Sequence, residues 1–223
     1  MTPEKILTHV DHTLLGVTAI ATDYIRLCDE ALNYNVASVC VPPSRVALCA
    51  GHLAGKVAVC TVVGFPNGYV SSAAKANEAA QAIRDGATEI DMVIDIGKAK
   101  EHAWDAILKD IQAVRAATLG CILKVIIETA LLDQEEKIAL CKIVGESGAD
   151  FIKTSTGFAP TGATFDDVAL LRQHSPAHVQ VKAAGGITTL DDAKRFIELG
   201  ATRLGTSRIV KIVQGMEDAA AAY

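Results

Sequence analysis

The sequence predicts an α/β chain closed into a single-domain (β/α)8 (TIM) barrel spanning residues 1–223, with a short N-terminal helix. Three observations lead there. Apolar, β-branched runs alternate with helical patterns from end to end, and no linker or low-complexity stretch interrupts them. The runs are almost continuously apolar, as strands of a parallel sheet covered on both faces must be. The alternation yields eight strands, which favours a closed barrel over an open doubly wound sheet, and 223 residues suffice for a smaller barrel.

Taken in order, His9–Thr13 supplies the first strand and Thr22–Tyr34 the helix after it. Val36–Val41 leads into Ser44–Leu53, and Val57–Val63 into Ser71–Asp85. Glu89–Ile94 precedes a long helical pattern at Lys98–Ala117, and Cys121–Ile127 precedes Asp133–Ser147. Phe151–Thr154, Val179–Ala183 and Arg203–Gly205 are the remaining strands, separated by helices at Thr164–His174 and Thr189–Leu199. Thr164 and Thr189 each have an aspartate three residues on, a variant of the capping box. Gly86, Gly148 and Gly200 stand where helices end in the left-handed conformation.

The residues after those glycines repeat. Gly86-Ala-Thr-Glu-Ile-Asp91, Gly148-Ala-Asp-Phe-Ile-Lys153 and Gly200-Ala-Thr-Arg-Leu-Gly205 align without gaps, and Asn35-Val-Ala-Ser-Val-Cys40 fits the same frame. Equal offsets from equivalent caps put Cys40, Asp91, Lys153 and Gly205 at one height. That height is near the C-terminal rim, where barrel enzymes keep their chemistry.

Composition narrows the function. Half the residues are apolar, so a large core can be buried, and the net charge of −5 excludes a nucleic-acid footprint. No apolar run approaches membrane-spanning length, and Met1-Thr2-Pro3-Glu4 lacks the basic start and apolar stretch of a secretory signal. The six cysteines form no C-x-x-C pair and read as reduced thiols of a cytoplasmic protein. His174 and His178 stand four apart with Pro176 between them, and His9 and His12 flank Asp11 without a further ligand cluster, so no metal is expected.

Two lysines carry the chemistry. Lys153 closes Asp150-Phe151-Ile152 and precedes Thr154-Ser155-Thr156-Gly157, and Lys182 closes Val179-Gln180-Val181 and precedes Ala183-Ala184-Gly185-Gly186. A cation at the end of a buried strand is costly unless paired or deprotonated. Two close together should lower each other's pKa and yield the neutral amine that Schiff-base chemistry needs. Lys124 sits earlier in its strand and reads as a deeper structural cation facing Glu89 or Asp91. Cys40 reads as a small buried residue lining the site and not as a nucleophile. Gly185-Gly186, and Gly205-Thr206-Ser207 before a final short helix, are the turns after strands seven and eight. Barrels commonly bind phosphate there through backbone N–H groups.

Asp11-His12-Thr13-Leu14-Leu15, Glu89-Ile90-Asp91-Met92-Val93-Ile94, Lys153-Thr154-Ser155-Thr156-Gly157-Phe158 and Val181-Lys182-Ala183-Ala184-Gly185-Gly186-Ile187 resemble the signature segments of the deoxyribose-phosphate aldolases, over Thr8 to about Val213. The resemblance implies a class I aldolase without metal or cofactor that cleaves 2-deoxy-D-ribose 5-phosphate to glyceraldehyde 3-phosphate and acetaldehyde. It implies Lys153 as the Schiff-base lysine, Lys182 as the lysine that tunes it, and Asp91 as a partner of Lys182 in proton transfer. Asp11 would hold a substrate hydroxyl. Gly157, Gly185, Gly186, Gly205 and Ser207 would line the phosphate end, and Cys40, Thr156 and Thr206 complete the substrate-binding set. Asp95 stands where many members carry asparagine, and a loop adjustment is expected there.

A pyridoxal-phosphate barrel and a non-catalytic sugar-phosphate-binding barrel are the rival readings. Partners are expected to be small phosphorylated sugars and aldehydes, with no nucleic acid and no membrane, and the chain is expected to form a homodimer or homotetramer. The tail, from about Glu217 to Tyr223, reads as a frayed end. A sharper reading brings the Tyr223 hydroxyl back over the rim.

Overall fold

The computed structural model describes residues 1–215, and the tail from Glu217 to Tyr223 lies outside the described residues. Eight strands form a closed, all-parallel barrel in sequence order: β1 (Val10–Thr13), β2 (Ser38–Val41), β3 (Ala58–Val63), β4 (Glu89–Val93), β5 (Ile122–Ile126), β6 (Phe151–Lys153), β7 (Gln180–Ala184) and β8 (Ala201–Thr206). The outer ring is α2 (Ala21–Tyr34), α3 (Val46–Leu53), α4 (Ser72–Arg84), α6 (Trp104–Ala117), α7 (Gln134–Glu146), α8 (Phe165–His174) and α9 (Leu190–Glu198). The N-terminal helix α1 (Pro3–Leu7) has Pro3 in its first turn and the Thr2 hydroxyl as its cap, and it packs near α9 and the short α10 (Ile209–Val213).

The expected helix at Lys98–Ala117 is in fact two. Asp95 caps a short α5 (Ile96–Lys100) by accepting from the Lys98 amide. The chain then passes through His102 at φ 54° before α6 begins, with Trp104 stacked on the His102 ring at 5.2 Å. Aspartate and asparagine cap helices about equally well, so Asp95 changes nothing that asparagine would supply. The two expected capping boxes differ. Thr189 and Asp192 form a complete box on α9. On α8 only the Thr164 half forms, because the Asp167 carboxylate turns away to Lys137 of α7 at 2.7 Å.

Strand alternation divides the residues into two populations. Outward positions such as Ile90, Met92, Leu123, Val125, Ile152, Val181 and Leu204 are fully buried against the helices and build the main apolar core. Inward positions are largely polar, and the strand pairing stacks them in layers. Asp11 on β1 pairs with Ser38 on one side and Gly205 on the other. Cys60 pairs with Cys40 and Glu89, Lys124 with Asp91 and Phe151, and Lys182 with Lys153 and Arg203. Each residue of an odd strand thus bridges one layer below and one above. The floor is Ser38, Glu89, Phe151 and Arg203, and the middle is Asp11, Cys60, Lys124 and Lys182. The top is Cys40, Asp91, Lys153 and Gly205, the four residues that share one offset from their helix caps. Four positions per layer from alternate strands is the packing a barrel of this type adopts, with Gly205 leaving its place without a side chain. Here the usual aliphatic filling is replaced by ions.

Candidate active site

Asp91 is the hub of the interior. It is fully buried, and its Oδ2 accepts from Lys153 Nζ and from Lys182 Nζ, each at 2.7 Å. Its Oδ1 accepts from Lys124 Nζ at 2.9 Å and from the Cys60 thiol at 3.1 Å. Burial alone would raise the Asp91 carboxyl, but Lys124, Lys153 and Lys182 together hold it well below the usual carboxylate range. Asp91 therefore stays ionised across the pH range in which an enzyme works.

The layer beneath fixes the hub. Lys124 Nζ lies 2.6 Å from Glu89 as well as 2.9 Å from Asp91, the deep structural cation that its position in the strand predicts. Lys182 Nζ sits 2.5 Å from Asp11 and 2.7 Å from Asp91. Arg203 closes the floor with contacts to Asp11 at 2.6 Å and Glu89 at 2.9 Å, its guanidinium 5.6 Å from the centre of the Phe151 ring. Asp11 also accepts from the Ser38 hydroxyl at 2.7 Å. Burial would raise the Asp11 carboxyl, but Lys182, Lys124 and Arg203 depress it.

Two expectations change here. Lys182 is not depressed by the neighbouring lysine. Burial pulls its pKa down, but Asp11 and Asp91 outweigh that and raise it above the ordinary lysine value. The shared Asp91 oxygen accepts from both ammonium groups and offsets the repulsion expected of two strand-end lysines lying close together. Asp11, expected at a substrate hydroxyl, is wholly buried beneath Lys182, paired with that ammonium and accepting hydrogen bonds from Arg203 and Ser38. It orients Lys182.

Charge counting singles out Lys153. The interior holds four basic groups, Lys124, Lys153, Lys182 and Arg203, against three carboxylates, Asp11, Glu89 and Asp91. Arg203 cannot lose a proton, and Lys124 and Lys182 each touch two carboxylates within 3 Å. Among the described residues Lys153 pairs with one carboxylate, Asp91, in the uppermost layer. Two groups of buried atoms, Cys40–Cys60–Asp91 and Asp11–Cys60–Glu89, are close enough to hold an ion. Their carboxylates are already matched to these cations, and a divalent ion would add charge to an interior that is positive by one.

The rim residues divide. Thr154 ties β6 to β7, its amide donating to Lys182 O at 3.1 Å and its hydroxyl accepting from the Ala184 amide at 3.1 Å. Gly157, Gly185 and Gly186 all have positive φ, and the loops after β6 and β7 meet where Gly162 packs on Gly185. Gly186 is exposed, and Gly185 and Thr156 are buried. Thr206 turns its hydroxyl to the Arg208 amide at 3.1 Å, and Ser207 follows at the foot of α10. Gly205 belongs to the barrel interior instead. A Cβ there would lie 3.2 Å from Lys182 Cε and 3.0 Å from the Ala184 Cβ, so this glycine makes room for Lys182. Cys40 is buried in the top layer, where the neighbouring Cys60 thiol lowers its pKa, while burial raises that of Cys60. Ser38, Cys60 and Arg203 escaped the sequence reading. Ser38 and Arg203 lie two residues before the shared offset, hence on the same strand face as Cys40 and Gly205.

Comparison with known proteins identifies the family. Residues 5–216 match the model of the DeoC/LacD family aldolases. The chain is 50% identical over 217 residues to a deoxyribose-phosphate aldolase of Streptococcus agalactiae, covering 97% of both chains. It is 51% identical over 214 residues to one of Streptococcus pyogenes, covering 96% of both. It superposes with a TM-score of 0.87 at 31% identity on the deoxyribose phosphate aldolase of Aeropyrum pernix, described as a unique tetramer, over 97% of this chain and 93% of that one. A charged barrel interior that isolates one strand-end lysine and a match along nearly the whole chain lead to one conclusion: this chain belongs to the DeoC/LacD family of aldolases.

Proposed function

We propose that this chain is a class I aldolase that cleaves 2-deoxy-D-ribose 5-phosphate reversibly to D-glyceraldehyde 3-phosphate and acetaldehyde, through a Schiff base on Lys153. The observation that carries this reading is the Lys153–Asp91–Lys182 contact, one carboxylate oxygen at 2.7 Å from each amine. Releasing one proton from Lys153 makes the interior neutral and leaves a free amine at the open end of the barrel. That amine attacks the C1 aldehyde of the open-chain sugar. Lys182, held as a cation, supplies the proton that lets the carbinolamine lose water, and Asp91 passes protons between the two lysines. In the resulting iminium, the C3 hydroxyl gives up its proton to the Asp91–Lys182 pair, which restores the Lys182 cation, the C2–C3 bond breaks, and its electron pair becomes the enamine double bond between C1 and C2. The carbons from C3 onward leave as glyceraldehyde 3-phosphate. Protonation of C2 and hydrolysis of the iminium release acetaldehyde and restore Lys153.

The phosphate is held at the turns after β7 and β8. Among the described residues, no intramolecular hydrogen bond occupies the backbone amides of Gly186 and Ser207, which belong to these two turns. The Thr188 and Thr189 amides are taken by Asp192, which leaves the glycine turn as the donor. Anchoring there uses binding energy to position the reacting carbons. Free thiols throughout suit a cytoplasmic enzyme, and exposed Val17, Ile20 and Tyr69 suit self-association as a dimer or tetramer. The test is borohydride added with acetaldehyde, followed by peptide mass spectrometry, beside a coupled assay for glyceraldehyde 3-phosphate. The reduced adduct belongs on Lys153, and an adduct on Lys182 or Lys124 overturns the assignment.

A further inference from the structure

Outside the ionic interior, one residue combines three unusual features. Glu128 follows β5 with φ 54° and ψ 67°, a conformation that bulky L-residues avoid. The other non-glycine residues with positive φ all stand at or just beyond the ends of helices, namely Asn35, Ala54 and His102. Glu128 stands instead two residues past a strand, at the start of a short 3-10 turn over Thr129–Leu131. Its side chain is 4% exposed, and among the described residues no cation lies within ion-pair distance of it. Backbone strain held by surrounding structure gathers at functional sites. The surroundings here are specific. The Ile127 amide donates to Lys153 O at 3.0 Å, and the Thr129 amide donates to Thr154 O at 2.8 Å. Between these two grips the left-handed turn directs the Glu128 carboxylate to Thr156, where it accepts from the amide at 3.2 Å and, at closer range, from the hydroxyl. The Thr156 hydroxyl in turn accepts from the Phe158 amide at 3.1 Å. Glu128 and Thr156 also share the wall of a cavity of about 600 Å³ at the rim, with Phe158 and Tyr69.

We infer that Glu128 is a positioning residue for substrate: the strained Ile127–Thr129 segment moulds the loop after Lys153 and fixes Thr156 and Gly157 in the conformation that receives the sugar phosphate. This rests on the aldolase reading above. The experiment compares Glu128→Gln, Thr156→Val and the double variant with the parent, using steady-state kinetics on deoxyribose 5-phosphate and borohydride trapping of acetaldehyde on Lys153. Replacing a charged acceptor with a neutral one should raise KM roughly tenfold, with kcat changed far less. Trapping of acetaldehyde, which has no sugar to position, should stay near the parent level. The double variant should be little worse than Thr156→Val, because Glu128 acts through Thr156. Glu128→Gly takes the same backbone angle without strain, so it should fold at least as well as the parent and show the same rise in KM. An unchanged KM in Glu128→Gly, additive losses in the double variant, or loss of trapping together with turnover each overturn the proposal. Failure of trapping in the parent would instead sink the Schiff-base reading.

Discussion

Asp91→Asn keeps the size of the hub and removes its charge, and the geometry sets the scale of the consequence. Three ammonium groups lie at 2.7, 2.7 and 2.9 Å from this carboxylate. At an effective dielectric constant near 20 each contact amounts to about 6 kcal/mol before desolvation is charged against it. The interior would pass from four cations against three carboxylates to four against two. Removing one member of a buried ion network typically costs about 3–5 kcal/mol, which in a chain of this size lowers Tm by roughly 6–20 °C. Turnover should fall by about 10²-fold or more, the scale of a lost acid–base group. The pH dependence gives the sharper check. The folded pKa of Asp91 lies below its unfolded value, so the stability the carboxylate contributes is present above about pH 4 and is lost as pH falls below that. The gap in unfolding free energy between parent and variant, from urea titrations, should therefore be widest near neutrality and shrink in acid. A gap that is constant from pH 7 to pH 3, or a variant with more than about a tenth of parental turnover, would refute the reasoning.

Gly205→Ala should lower kcat alike for deoxyribose 5-phosphate and unphosphorylated deoxyribose, because its methyl presses on Lys182. Gly186→Val should instead raise KM for the phosphorylated sugar alone, and kinetics on both substrates separate the two outcomes. Lys75, fully buried, donates to Asp110 at 2.6 Å and to Val93 O at 2.8 Å, so Lys75→Met should cost about 3–5 kcal/mol in a urea titration. Lys75→Met with Asp110→Leu should cost clearly less than either single change, since neither charge is then left buried alone. Prolonged dialysis against a chelator should leave turnover unchanged, because the interior carboxylates are already matched to cations, and a loss restored by added metal would contradict that balance.

Much of this site was legible because the even strands start from alike caps. Asn35, Gly86, Gly148 and Gly200 all enter their strands through the left-handed conformation, so a fixed count reaches the top layer. Lys124 was read correctly because its depth follows from its place in an apolar run. The roles of Asp11, Lys182 and Gly205 were not legible. Lys182 and its partners in the middle layer sit on odd strands, whose entries differ: α3 ends at Ala54, α6 at Thr118, and α8 at Ser175 in an extended conformation. Their heights follow from the stagger of the closed sheet. So does the contact of Lys182 with Asp11 and Asp91, partners 171 and 91 positions away (182 − 11 and 182 − 91). Pairing over such separations is set by closure, and closure leaves no mark in a local pattern.

The shared offset also dictates where this chain can tolerate a change of length. One residue added between Gly148 and Lys153 would carry the lysine round to the opposite face of β6, into the apolar layer under α7 and α8. A two-residue insertion would restore the face but lift the amine beyond the reach of Asp91. The stretches from cap to top layer on β2, β4, β6 and β8 therefore behave like a reading frame, intolerant of any insertion or deletion. Gains and losses of residues among working relatives should fall outside those four stretches, in the helices and in the loops beyond the rim.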